Sequence, residues 1–563
     1  MKPRLKLFPI TMLTALVMII ELTSIAPAQA ETYFPITGSG STWSQNALDQ
    51  WRSNVARNYA MTVNYSGVGS SAGRRDFIEG TVDFAISEIP FQAKPEDGSS
   101  PEKPKSSYAY MPIVAGGTSF MYHIKIGGKR VTNLRLSGET ITKIFTGVIT
   151  KWNDSAIQSD NPGLSMPDRT IVPVVRSDGS GTSAQFTLWM SKQFPSLWKH
   201  GMTSQFPIIG NAKAQKGSDG VAGYVAQNYG EGAITYVEYS YAKKAGFPVA
   251  KVLNKANYYV EPTANSVAVA LMKAKINTNK SSSDYLTQIL DDVYNSTDPR
   301  SYPLSSYSYL IVPTEVAGIF NTNKGKTLGA FARYVLCEGQ RQADTLGYSP
   351  LPMNLVLAGS DQIKLIPGAG NTGIDINSCN NPTFKAGDSV TQNQLALTAP
   401  QPAACDKAGT TQCSTGTGGA KQQTATNNNG NSGSDSDSQK SSNGTNTTNS
   451  NGTNNSNGNG TDSSDTANGA GDTESGSDTG YSNNGDAGSD LPMYDEYGNT
   501  ISDDQGSGTG LGSQASSVPY ILPASSNTTN NWLMAASATL LIAAVVFPPL
   551  TSRRLRSVNH GNN

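Results

Sequence analysis

Arg176-Ser177-Asp178-Gly179-Ser180-Gly181-Thr182 sets a fixed cation and a run of small hydroxyl residues directly ahead of a helix. On its N-terminal side Val172, Val174 and Val175 read as a short buried strand. On the other side Phe186, Trp189, Met190 and Phe194 recur at helical spacing. The chain therefore turns from strand to helix here. The unpaired N–H groups and positive dipole end of the new helix face whatever sits above the turn. Such a turn suits an anion.

Two further loops share this grammar. Gly38-Ser39-Gly40-Ser41-Thr42-Trp43 joins a strand-like stretch over 33–37 to a helix whose apolar face is Trp43, Ala47, Leu48, Trp51 and Val55. Gly67-Val68-Gly69-Ser70-Ser71-Ala72-Gly73 joins a strand over 63–65 to a helix carrying Phe77 and Ile78 and closed by Gly80. Each loop alone is an ordinary helix cap. Three of them at strand-to-helix turns are able to converge on one ligand.

The pattern around them alternates. Strands are expected over 82–86, 171–175, 233–237 and 309–312, and helices over 140–145, 220–228 and 328–337. An apolar stretch over 113–124 is broken by Gly116-Gly117. This alternation predicts an α/β architecture with mainly parallel strands and a ligand beyond the strand carboxyl ends, where all three loops lie.

Composition divides the 563 residues sharply. Residues 1–30 carry Lys2, Arg4 and Lys6, an apolar run and Ala28-Gln29-Ala30, the makings of a secretory signal peptide cut after Ala30. Residues 31–400 have globular composition, long enough for two cores. Residues 401–531 are dominated by Ser, Thr, Asn, Gly and Asp, too poor in apolar surface to offset chain entropy, and read as a disordered acidic stalk. The near-neutral net charge of −1 thus hides a mildly basic folded part. Asn-x-Thr triplets such as Asn443-Gly444-Thr445 are expected by chance in such sequence.

Residues 532–550 are apolar, uncharged and followed by Arg553, Arg554 and Arg556. They are long enough for one transmembrane helix, with residues 551–563 as a cytoplasmic basic tail. The folded part would then face outward, anchored at the outer face of a bacterial membrane. Leu522-Pro523-Ala524-Ser525-Ser526 approaches a cell-wall sorting signal and departs from it at the last two positions, so wall attachment is the alternative.

The four cysteines agree with export. Cys405 and Cys413 are close enough to close a small loop, which leaves Cys337 and Cys379 for each other; four cysteines allow three connectivities and the sequence does not choose. No metal site is indicated, because His123, His200 and His560 lie beside neither cysteines nor acidic clusters.

The three loops, together with Gly80-Thr81-Val82-Asp83-Phe84-Ala85-Ile86-Ser87-Glu88, Phe145-Thr146-Gly147-Val148-Ile149-Thr150-Lys151-Trp152-Asn153 and Gly232-Ala233-Ile234-Thr235-Tyr236-Val237-Glu238-Tyr239, resemble the extracytoplasmic phosphate-binding protein of the phosphate-specific ABC transporter. The likeness runs in order from about Thr37 to Pro352. It implies a two-lobed periplasmic-binding-protein-like fold of type II that closes on one phosphate held by protein groups alone, without a cofactor. It further implies a monomer that serves an ABC permease and has no nucleic-acid partner. Lobe one would comprise 31–117 and 305–400, lobe two 118–304, with hinges near Gly116-Gly117 and 302–305.

Carried over at matching positions, Thr42 and Trp43 would donate from the first loop, Trp43 through its backbone where the family usually has Phe. Ser70 would donate from the second loop; Ser180, Gly181 and Thr182 from the third. Arg176 would form a charged fork that Lys cannot copy. Asp178 would orient that fork, or serve as a helix cap. Glu88, where the family usually has Asp, would accept the ligand's own proton. Phosphate keeps a proton near neutral pH and sulfate does not, so a carboxylate acceptor discriminates by on the order of 10⁴-fold. The extra methylene of Glu88 shifts the carboxylate by about one carbon–carbon bond, so either the backbone recedes there or the ligand differs.

Two other function classes are compatible with the sequence. A surface oxyanion or phosphate-ester receptor or adhesin, uncoupled from transport, would use the same stalk. Gly69-Ser70-Ser71-Ala72-Gly73 also fits a nucleophile elbow, which would make Ser71 the nucleophile of a hydrolase with His200 as base.

Overall fold

The computed structural model describes residues 32–95, 98–282 and 284–420. The signal peptide, the stalk beyond residue 420, the apolar span over 532–550 and the basic tail lie outside the described residues. Among the described residues no helix is long and apolar enough to cross a membrane.

Eight strands form one sheet. They are β1 (Ile36–Gly40), β2 (Val63–Ser66), β3 (Phe84–Ser87), β4 (Tyr108–Tyr122), β5 (Val172–Arg176), β6 (Lys213–Gln215), β7 (Ala233–Glu238) and β8 (Ser305–Pro313), in the order β2-β1-β3-β8-β4-β7-β5-β6. Each end is a parallel block, β2-β1-β3 at one end and β7-β5-β6 at the other. The centre is antiparallel: β8 runs against both β3 and β4, and β4 runs against β7. The sheet is therefore mixed: its two ends are parallel as expected, and its centre is not. Apolar runs identify buried strands, but β8 returns between the blocks in a direction no local pattern encodes.

Strand β4 joins the two blocks. Its first part, through Gly117, pairs with β8, and Thr118 to Tyr122 pair with β7. Gly116 and Gly117 do not break it. A Cβ at Gly116 would stand 2.8 Å from the Trp43 ring, so glycine here admits a neighbour. Trp43 is fully buried, as are Trp51 and Trp152.

Helices follow the strands on whose carboxyl ends the loops sit: α1 (Gln45–Tyr59) after β1, α2 (Ser70–Glu79) after β2, α3 (Gly181–Gln193) after β5 and α4 (Gly217–Ala226) after β6. Ser180 caps α3 by accepting the Ser183 N–H. Further along, α5 (Ala264–Leu271) packs against the short α6 (Gln394–Thr398) through Ala268, Val269, Ala396 and Ala399.

Both disulfides form as paired above, Cys337–Cys379 and Cys405–Cys413. Residues 401–420, assigned to the stalk by composition, are instead packed against residues 133–135 and 249–251. Arg135 Nη1 donates to the Thr411 carbonyl at 2.9 Å and Asn133 Nδ2 to that of Cys413 at 2.7 Å. Lys251 pairs with Asp406 at 2.8 Å, and Val249 N donates to Thr417 Oγ1 at 2.9 Å. This strap is held by polar contacts and a disulfide, so apolar content does not report it.

Candidate oxyanion-binding site

Strand β5 ends on Arg176, whose backbone N–H donates to the Tyr236 hydroxyl at 3.2 Å. Tyr236 is buried, which pushes its phenol up to about 12, and its hydroxyl also meets Ser183 Oγ at 2.7 Å. The Arg176 side chain, 3 % exposed, forks onto Asp178: Nε to Oδ1 at 2.8 Å and Nη2 to Oδ2 at 2.5 Å. Gly217 N, at the start of α4, adds a third donor to Asp178 at 2.9 Å. Burial alone would raise the Asp178 carboxyl. The hydrogen bonds and charge of Arg176, with the Gly217 N–H, outweigh it and hold the group below its ordinary value.

The remaining face of the guanidinium looks across the cleft, where Nη1 approaches Ser218 Oγ at 3.4 Å. Ser218 Oγ meets Thr42 Oγ1 at 2.9 Å, and the Thr42 hydroxyl accepts the Ser218 N–H at 3.1 Å. The Thr42 carbonyl accepts the Tyr241 hydroxyl. Gly69 has a φ of +95°, and a Cβ there would stand 2.5 Å from Asp178 Oδ2. The second loop thus closes onto the third through a bare backbone. Ser71 N completes that contact by donating to the Gly179 carbonyl at 3.0 Å.

Glu88, just beyond β3, is fully buried. Its Oε1 accepts from Ser41 Oγ at 2.5 Å and from Ser308 Oγ at 2.7 Å; its Oε2 accepts from Ser70 Oγ at 2.8 Å. Ser70 Oγ in turn accepts the Gly181 N–H at 3.1 Å, and a Cβ at Gly181 would stand 1.8 Å from Glu88 Oε2. The Trp43 N–H donates to Ser41 Oγ at 2.9 Å. Thr182 Oγ1 is buried with no protein partner, the open donor of the set.

Of the nine residues predicted to bind, Thr42, Trp43, Ser70, Glu88, Arg176, Asp178, Ser180 and Gly181 take part in these contacts, and Thr182 follows Gly181 with its hydroxyl unpartnered. Sequence reasoning missed Ser41, Ser218 and Ser308. Ser218 was within reach, since Gly217-Ser218 repeats the Gly-Ser grammar at the start of α4, three residues before the helix was expected. Ser41 stood inside a quoted loop. Ser308 carries no local signal, being one hydroxyl in a buried strand.

The nucleophile-elbow reading is corrected. Ser71 Oγ lies 3.3 Å from Arg74 Nη2, which donates to it. Of the two described histidines, His200 packs on Trp198 and His123 bonds the Val225 carbonyl through Nδ1 at 3.0 Å. Neither forms a base for Ser71. Among the described residues no group of three or more His, Cys, Asp or Glu is placed to hold a metal ion.

The family model of the PBP superfamily domain matches residues 26–338. The phosphate-binding protein PstS of Xylella fastidiosa is 32% identical over 342 residues, covering 60% of this chain and 87% of its own. That of Haemophilus influenzae is 30% identical over 347 residues, covering 62% and 96%. The chain belongs to the PstS family of phosphate-binding proteins. Among solved structures, this PstS-family chain is similar to a phosphate binding protein from Stenotrophomonas maltophilia, 17% identical, covering 56% of this chain and 91% of that one, with a TM-score of 0.42. Both relatives are named as phosphate-binding proteins.

Proposed function

We propose that this PstS-family protein captures inorganic phosphate outside the cytoplasm and delivers it to an ABC permease. The observation that carries this reading is the pairing of donors with one acceptor. Arg176, Thr42, Ser180 and Thr182 supply donors for oxygens, while Glu88 supplies a carboxylate held only by hydroxyls. A fully ionised oxyanion gains nothing from Glu88; one that carries a proton does. The Ser71–Gly179 bond and the Gly69–Asp178 contact close the wall between the second and third loops, which favours the free anion over an ester with a bulky substituent.

In this reading the two parallel blocks belong to lobes that close on the ligand, 31–117 with 305–400 and 118–304, with β4 and β8 crossing between them. The strap over 401–420 then fixes the start of the stalk to lobe two. A cleaved signal over 1–30, a stalk over 421–531 and a span over 532–550 with an inner tail would tether a monomer to the outer face of the membrane. Calorimetry of the full-length protein against phosphate, arsenate, sulfate and glycerol phosphate tests the reading. Heat of binding for phosphate and arsenate alone is expected; equal binding of sulfate or of the ester would overturn it.

A further inference from the structure

We infer that Ser308, acting with Ser41, is a specificity-determining residue that sets how Glu88 reads the ligand; this rests on the phosphate reading above. A carboxylate offers about four acceptor positions, two on each oxygen. Ser41 and Ser308 fill both positions on Oε1, and Ser70 fills one on Oε2. One position on Oε2 is left, on the oxygen that faces Gly181 of the anion loop. Ser41 Oγ takes the Trp43 N–H, which directs its own hydrogen at Glu88.

The consequence is chemical. With Oε1 held by two donors, the orientation of the carboxylate is fixed, and it meets the ligand through the one open acceptor position on Oε2. Phosphate brings a hydrogen to Oε2; sulfate brings a lone pair. Without the Ser308 hydroxyl, Oε1 loses one of its two anchors, and the carboxylate is free to rotate so that its open acceptor position no longer meets the ligand's hydrogen.

Backbone geometry supports the assignment independently. The register between β8 and β4 shifts between Ser308 and Tyr309: Ser308 lies opposite Val114, and Tyr309 opposite Pro112. Such bulges re-aim side chains beside binding sites. Gln288 braces the same place, its Oε1 accepting the Tyr307 N–H at 3.1 Å. Its Nε2 donates to the Tyr307 carbonyl at 2.9 Å and to the Glu88 carbonyl at 3.1 Å. The strand carrying Ser308 is thereby fixed relative to the backbone of Glu88. Ser306, two residues earlier on β8, is buried with its hydroxyl unpartnered and serves as an internal control.

The test is the ratio of phosphate to sulfate affinity, measured by calorimetry on the full-length protein and on Ser308→Ala, Ser308→Cys, Ser308→Thr and Ser306→Ala, with thermal unfolding to check folding. Ser308→Ala and Ser308→Cys are expected to lower the ratio by about ten- to a hundredfold, the worth of one hydrogen bond to a charged group. Ser308→Thr, which restores the hydroxyl, and Ser306→Ala are expected to keep it. An unchanged ratio in folded Ser308→Ala or Ser308→Cys, or an equal loss in Ser306→Ala, would overturn the assignment. Failure of the unmodified protein to bind phosphate would overturn the proposed function instead.

Discussion

Glu88 is buried and Asp178 half-buried in the same region, and they are held in contrasting ways. Asp178 is clamped by a guanidinium, two hydrogen bonds deep, and its charge is spent on Arg176. Glu88 is held by three hydroxyls that orient it without cancelling its charge. Glu238 adds a third case: buried with no cation beside it, its carboxyl is pushed well above the usual range by burial, and its Oε1 lacks a partner. Three environments put one functional group in three situations: clamped by a cation, oriented by hydroxyls, and buried where the charged form is disfavoured. In the proposed reading the Asp178 wall builds the anion's seat, and the Glu88 wall asks what sits in it.

Breaking the Asp178 wall should have the largest effect. Arg176→Ala removes the fork and leaves the half-buried Asp178 without its cation, so phosphate affinity is expected to fall by about a thousandfold or more. Calorimetry that finds affinity retained would remove this wall from the site. Forcing the two walls apart comes next. Gly181→Ala puts a methyl where Glu88 Oε2 stands, and binding is expected to weaken by about a hundredfold while the protein stays folded. Near-native affinity in that variant would mean that Glu88 does not sit against the anion loop.

The Asp178 clamp should also show in acid. Its folded-state carboxyl lies below its ordinary value, so the pair stabilises the fold above about pH 4. That contribution drains as the pH falls through the lower folded value. The stability gap between the protein and Asp178→Asn, measured by urea unfolding, is expected to close as the pH drops below about 4. A gap that stays constant would say that the clamp does not depend on the charge of Asp178. The smallest effect concerns salt. One cation faces two carboxylates here, so the ligand is held by oriented donors more than by net charge. Raising ionic strength tenfold is expected to change the phosphate Kd by less than about threefold.

Much of this site was legible because it is built from helix starts. Small hydroxyl residues between a strand and a helix have a physical meaning that needs no partner, and three such loops pointed to the same cleft. Fold class followed from alternation, but strand direction did not, since β8 looks the same read either way. Gly116 and Gly117 were read as a break because glycine's absence of a side chain signals flexibility locally and close packing only in three dimensions. The strap was hidden for a related reason: residues 401–420 are held by Arg135, Asn133, Lys251 and a disulfide, none of which composition records. Ser308 needed the bulge beside it to have a meaning at all.

The central claim is that Glu88 reads the ligand's proton, and Glu88→Gln tests it most directly. The substitution keeps the shape of the side chain and replaces one acceptor oxygen by a donor. Dissociation constants for phosphate and sulfate, measured by calorimetry on both forms, are expected to show phosphate weakened by on the order of a hundredfold and sulfate newly bound. Unchanged preference for phosphate in Glu88→Gln would contradict the account.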